Sequence, residues 1–153
     1  MRYLALIPFL VAGCMPPVGS ATVTTAYQLD SGKEVSWNAI VQVYTERGYG
    51  IQTIEKDSGV ISTFDLNSSD LGYFACEDWR NISPLQIRLR FSMLLQEVTS
   101  ESSKLTINTT ASVLRGGGAF GIGDPIWSPC PSTEVFEAEI VGQIRSRIEQ
   151  ATK

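Results

Sequence analysis

The chain carries three cysteines and no histidine, and that inventory limits the chemistry open to it. Without histidine, a serine or cysteine nucleophile lacks its commonest base, and a metal lacks its commonest ligand. A serine–lysine pair three apart is also missing: Asp30, Thr53, Glu101 and Gln150 stand three residues before Lys33, Lys56, Lys104 and Lys153. Glu134/Glu137 and Asp65/Asp70 could be read as acid–base pairs of glycosidase type, but helix-start and loop solvation account for each. Gly116-Gly117-Gly118-Ala119-Phe120-Gly121 fits the dinucleotide-loop spacing in form. Such a loop must open a helix, however, and here Gly123-Asp124-Pro125 follows. The P-loop spacing from Gly118 to Gly123 puts Asp124 where lysine should stand, which would repel phosphate. The segment reads as a glycine-rich loop that either links its neighbours passively or offers Phe120, Ile122 and Trp127 for docking on a partner. Arg88 and Arg90 are two apart, on one side of any strand, and read either as a solvated pair or as a contact for an acidic ligand. No cofactor, no metal and no catalytic set is expected.

The charge balance, 12 Lys+Arg against 16 Asp+Glu for a net −4, argues against a nucleic-acid partner. At 153 residues the chain is long enough for one domain. Its N-terminus is more specific. Met1-Arg2 precedes an apolar run from Tyr3 to Ala12, broken only by Pro8. A helix of that length rises about 15 Å, half a bilayer core, so the run reads as the apolar part of a signal peptide rather than a membrane span. Leu10-Val11-Ala12-Gly13-Cys14 resembles the lipobox of bacterial lipoproteins. The resemblance implies cleavage after residue 13, palmitate and diacylglycerol on Cys14, and anchoring in the cell outer membrane, facing the periplasm. Met15 stands where an inner-membrane retention signal would have aspartate. Cys76 and Cys130 then remain as an even pair in an oxidising compartment and read as a structural disulfide. A nucleophilic Cys76 would have its thiolate disfavoured by Glu77 and Asp78.

Several elements must hold these residues. Residues 14–30, with Pro16-Pro17 and no helical period, read as the lipidated cysteine and a flexible tether; the alternative is an added edge strand through Thr22-Val23-Thr24. Ser31 to Glu34 has the form of a capping box, and Trp37, Ile40, Val41 and Tyr44 fall on one side of a helix over about 32–47, with Gly48 as its stop. Two short strands, 49–55 and 60–66, flank Lys56-Asp57-Ser58-Gly59, which has hairpin-turn chemistry. Residues 67–83 read as a loop. Leu85, Ile87, Leu89, Phe91, Met93 and Leu95 alternate with polar residues, Leu94 being the misfit, and Leu105 to Val113 alternate likewise. The two runs predict a long hairpin with one apolar face. After a loop over 115–131, Phe136, Ile140, Val141, Ile144 and Ile148 form a second helical stripe, with Ser132 or Thr133 as N-cap and Glu137 in the first turn. The order α-β-β-β-β-α predicts a single α+β domain over 31–153, with a four-stranded antiparallel sheet and two helices on one face.

Trp37-Asn38-Ala39-Ile40 through Arg47-Gly48-Tyr49, then Asp57-Ser58-Gly59-Val60-Ile61, resembles the helix and strand pair of the helix-grip lipoproteins, a family that includes the C lipoprotein of the β-barrel assembly machinery. Cys130-Pro131-Ser132-Thr133-Glu134-Val135-Phe136-Glu137 is similar to the segment that opens the last helix in small envelope lipoproteins of that sort. The resemblance implies a helix-grip fold. The anchor and the missing catalytic set point to a non-catalytic protein-binding module acting on an envelope partner through Arg88, Arg90, Phe120 and Trp127. The alternative is a small-ligand binder with its cleft between the last helix and the sheet; a filled core would favour the former reading and a deep apolar pocket the latter.

Overall fold

A computed structural model describes residues 22–68, 71–76, 86–115 and 126–153. In chain order the elements are β1 (Thr22–Leu29), α1 (Lys33–Glu46), β2 (Ile51–Glu55), β3 (Val60–Thr63), β4 (Leu66–Ser68), a short 3-10 turn (Leu71–Tyr73), β5 (Ile87–Thr99), β6 (Ser102–Arg115), β7 (Ile126–Cys130) and α2 (Val135–Ala151). The strands form one sheet ordered β1-β6-β5-β3-β2, with β4 also beside β5 and β7 also beside β6. Every pairing is antiparallel.

The fold is therefore α+β, but its sheet has seven strands rather than the four expected. The three extra strands, β1, β4 and β7, come from stretches read as tether and loop. In β1 the inward residues are Val23, Thr25, Tyr27 and Leu29, and the threonine among them dilutes the apolar alternation. β1 pairs along its whole length with β6, so Thr22–Leu29 is a strand of the sheet, as in the alternative reading of an added edge strand through Thr22-Val23-Thr24. β4 has three residues, too few to display a period. β7 contains Pro129, which lacks a ladder donor but is tolerated at the edge that β7 occupies beside β6.

The core lies on one face of the β5–β6 hairpin. Phe91 opposes Thr109, Met93 opposes Ile107 and Leu95 opposes Leu105, and all six are buried. The two strands are joined through Ser100 and Glu101, with Thr99 Oγ1 accepting from the Glu101 N–H at 3.2 Å. The helices cover this face with Trp37, Ile40, Val43 and Tyr44 from α1 and Phe136, Ile140, Val141, Ile144 and Ile148 from α2. Phe91 sits at the centre, its ring 5.3 Å from that of Tyr44, 5.2 Å from Tyr49 and 5.0 Å from Phe136.

The helix ends depart from the expected caps. Gly32, not Ser31, is the N-cap of α1, and no side chain caps it. Ser31 instead joins a buried hydroxyl cluster: Ser36 Oγ lies 2.6 Å from Ser31 Oγ and 2.8 Å from Ser103 Oγ, while Ser103 Oγ donates to the Ser31 carbonyl at 2.9 Å. Glu34, the other half of the expected box, pairs with Lys56 at 2.6 Å. The C-terminus of α1 follows its expected pattern. Gly48 is left-handed with φ 66°, its N–H donates to the Thr45 carbonyl at 3.2 Å, and that of Tyr49 reaches back to the Tyr44 carbonyl at 3.0 Å. Helix α2 begins later than expected. Its N-cap is Glu134, left-handed at φ 66° with no side-chain cap. It also runs on to Ala151, so Arg145 and Arg147 lie before its last turn.

Candidate functional site

On the face of the sheet that the described helices leave uncovered, the alternation brings polar side chains together. Arg88 and Arg90 leave β5 on this side, next to Ser112 and Thr110 of β6, and Trp127 stands on β7 opposite Leu114. Neighbouring strands are about 4.8 Å apart, so Arg88 must reach across β6 to meet β7. The short Ser112 leaves room for that crossing. The Arg88 guanidinium lies over the Trp127 ring at 3.9 Å from its centre, within cation–π range.

Arg90 turns the other way. Its Nε donates to Asp65 Oδ1 at 2.9 Å, and its Nη2 lies 2.9 Å from the same oxygen, which comes from the turn between β3 and β4. Both partners are about half exposed, so the pair positions Arg90 more than it stabilises the fold. Asp65, Arg88, Arg90, Thr110, Ser112 and Trp127 line a trough of about 460 Å³. Its floor is hydroxyl-bearing, one wall is an indole, and it holds two guanidiniums against one carboxylate.

The placement of β7, and so of Trp127, depends on the cysteines. Cys76 and Cys130 are joined as a disulfide, with Cα atoms 4.7 Å apart. Both are buried. Around the bridge the Ala75 N–H donates to the Pro131 carbonyl and the Thr133 N–H to the Tyr73 carbonyl, each at 2.9 Å, and Phe74 forms a β-bridge with Ser132. The end of β7 is thus held on one side by β6 and on the other by residues 73–76.

On the covered face, the expected alternative cleft between α2 and the sheet is occupied by side chains: Phe91, Phe136, Ile140 and Ile144 are all buried there. Burial pushes the Tyr44 hydroxyl well above the usual phenol range, and the nearby Tyr49 adds to the effect. Tyr49 is also raised, first by burial; Arg47 opposes the shift and Glu139 reinforces it. The Tyr73 hydroxyl donates to Glu139 at 2.5 Å and is the main cause of a lowered Glu139 pKa, with Arg47 assisting.

Of the residues singled out in the sequence, Arg88, Arg90 and Trp127 are thus brought together, while Cys14, Phe120, Asp70 and the glycine-rich run 116–123 lie outside the described residues. Glu134 is exposed, whereas Glu137 is buried and accepts a hydrogen bond from Ser132 Oγ at 2.7 Å; the reading that its place in the first turn lets it reach solvent is corrected. Asp65, Thr110 and Ser112 were not recognised as neighbours of the arginines. Once the β5–β6 register is set, Arg88↔Ser112 and Arg90↔Thr110 follow, but Asp65 requires the position of β4. Among the described residues no group of three or more metal-binding side chains converges. Nor is any described helix long and apolar enough to cross a membrane.

No known protein family matches the chain, and no curated protein does. Among solved structures it is similar to a conserved protein from Geobacillus kaustophilus, at 12% identity and a TM-score of 0.38, over 85% of this chain and 93% of that one. A likeness at that level carries no argument about function.

Proposed function

We propose that this protein is a non-catalytic interaction module, anchored through an acylated Cys14 to the periplasmic face of the outer membrane, which binds a protein partner on the uncovered face of its sheet. The observation that carries this reading is the contrast between the two faces. One is filled with interlocked aromatic and aliphatic side chains. The other displays a stacked Arg–Trp pair beside a second arginine, residue types enriched where proteins bind one another. The filled space between α2 and the sheet favours this over a ligand-binding cleft.

Site-specific photo-crosslinking in the native envelope tests the reading. A photoreactive residue at Ser112, in the trough, is expected to capture a reproducible protein, while one at exposed Glu149 on α2 is not. Cys14→Ser is expected to abolish palmitate labelling and leave an unprocessed or soluble form. Palmitate labelling that persists in Cys14→Ser overturns the anchor. Capture of nothing from Ser112, beside a co-purifying small molecule, overturns the protein partner.

A further inference from the structure

Resting on the reading just given, we propose that the trough on the uncovered sheet face receives a carboxylate from an acidic segment of the partner, with Arg88 as its main ligand. Ion pairs among the described residues join Arg47 to Glu139, Lys56 to Glu34, Arg90 to Asp65 and Arg147 to Glu46, and Arg88 is in none of them. Arg145 spends its guanidinium on the Gln28 carbonyl, so Arg88 stands apart among the arginines whose side chains are described. Its guanidinium is not adrift, because it lies over the Trp127 ring, 3.9 Å from the centre. Stacking occupies the face of the ion and leaves its in-plane N–H fork available, the edge that matches a carboxylate's two oxygens. Part of the entropy of ordering a long side chain is therefore already lost before a ligand arrives.

The surroundings select the sign and size of the ligand's charge. Among the described residues, two arginines and Asp65 give the trough a local excess of one positive charge, on a chain whose net charge is −4. A single carboxylate balances that excess. A phosphate, carrying close to two negative charges, would overfill it and meet Asp65. A cationic ligand would face both arginines. Thr110 and Ser112 add hydroxyl donors at the floor, and the indole wall suits the methylene stem of a glutamate.

The test uses the full-length, lipidated protein in detergent micelles at low ionic strength, where exposed charge pairs are least screened. The Trp127 indole N–H resonance, assigned with Trp127→Phe, is followed while a blocked hexaglutamate peptide, its hexaglutamine counterpart or inorganic phosphate is added. Hexaglutamate is expected to shift the resonance saturably, and hexaglutamine is not. Arg88→Gln is expected to weaken the response at least about tenfold, the loss of one charge-assisted hydrogen-bond pair. Arg88→Lys keeps the charge but not the fork and is expected to weaken it too. Arg88 is exposed, so unchanged melting of both variants separates binding from folding. A saturable response that survives Arg88→Gln, phosphate binding as tightly as hexaglutamate, or no response to hexaglutamate overturns the proposal. A partner crosslinked from Ser112 without any response to hexaglutamate overturns the carboxylate site alone and leaves the interaction module standing.

Discussion

Glu137 is fully buried with one oxygen on Ser132 Oγ and the other, Oε1, without a hydrogen-bond partner. Ser132 Oγ also accepts the Glu134 N–H at 3.1 Å, so one hydroxyl serves both a buried acid and the left-handed residue that opens α2. Ser132→Ala removes both bonds and leaves the acid with no described partner. It is expected to destabilise the fold by about 2 kcal/mol, read from the midpoint of urea unfolding, whereas Ser132→Thr keeps the hydroxyl and most of the stability. An alanine variant that unfolds at the wild-type midpoint would show that the bond adds nothing. The sequence marks Ser132 as a candidate cap and places Glu137 in the first turn, but does not show that each accounts for the other. That requires knowing that residues 130–133 are held against residues 73–76, a contact between segments far apart in the chain.

Among the elements, the β2–β3 hairpin shows how far a local pattern reaches. Gly59 is left-handed with φ 74°, and a Cβ there would run into the Leu95 carbonyl oxygen of β5. The Gly59 carbonyl in turn accepts the Leu95 N–H at 2.8 Å, so the turn is built into the sheet. Gly59→Ala is expected to cost at least about 2 kcal/mol in thermal or urea unfolding, more than a left-handed alanine alone, because backbone must move. A variant within a few tenths of a kcal/mol of wild type would contradict that packing. The turn chemistry of Lys56 to Gly59 was legible, as were both helices and the β5–β6 hairpin, because each repeats a period over many residues or carries a strong local stop. β4 and β7 were not, and β1 was legible only as the alternative of an edge strand through Thr22-Val23-Thr24. They owe their state to pairing with β5 and β6, and a three-residue strand or one interrupted by Pro129 has no signature of its own. The residue types of Arg88, Arg90 and Trp127 mark them in the sequence, but their convergence depends on β7, a stretch whose sequence reads as loop.

For the whole molecule, the pH dependence of stability follows from the groups between and beneath the helices. Glu139 and Glu46 lie below the usual carboxylate value of 4.5 in the folded state, the first held mainly by Tyr73 and then Arg47, the second by Gln42 and then Arg147. The unfolded chain takes up these protons first, so their contribution is present above pH 4.5 and fades as the pH falls through the folded values. Tyr44 and Tyr49 behave in the opposite sense. Burial keeps them neutral past the ordinary phenol value of 10.0, so the unfolded chain loses these protons first and stability falls as the pH rises above that point. Urea midpoints measured across pH are expected to form a plateau that drops at both ends, with Tyr44→Phe softening the alkaline drop. An alkaline limb identical in Tyr44→Phe would assign it to other groups.

The bridge between Cys76 and Cys130 spans 54 positions of sequence and encloses β5, β6 and β7 within one covalent ring. A protease that severs a single peptide bond anywhere inside that ring therefore releases no fragment. The nicked molecule still migrates as one species until a reductant parts it into two, and the half bearing residue 14 keeps hold of the other in the meantime.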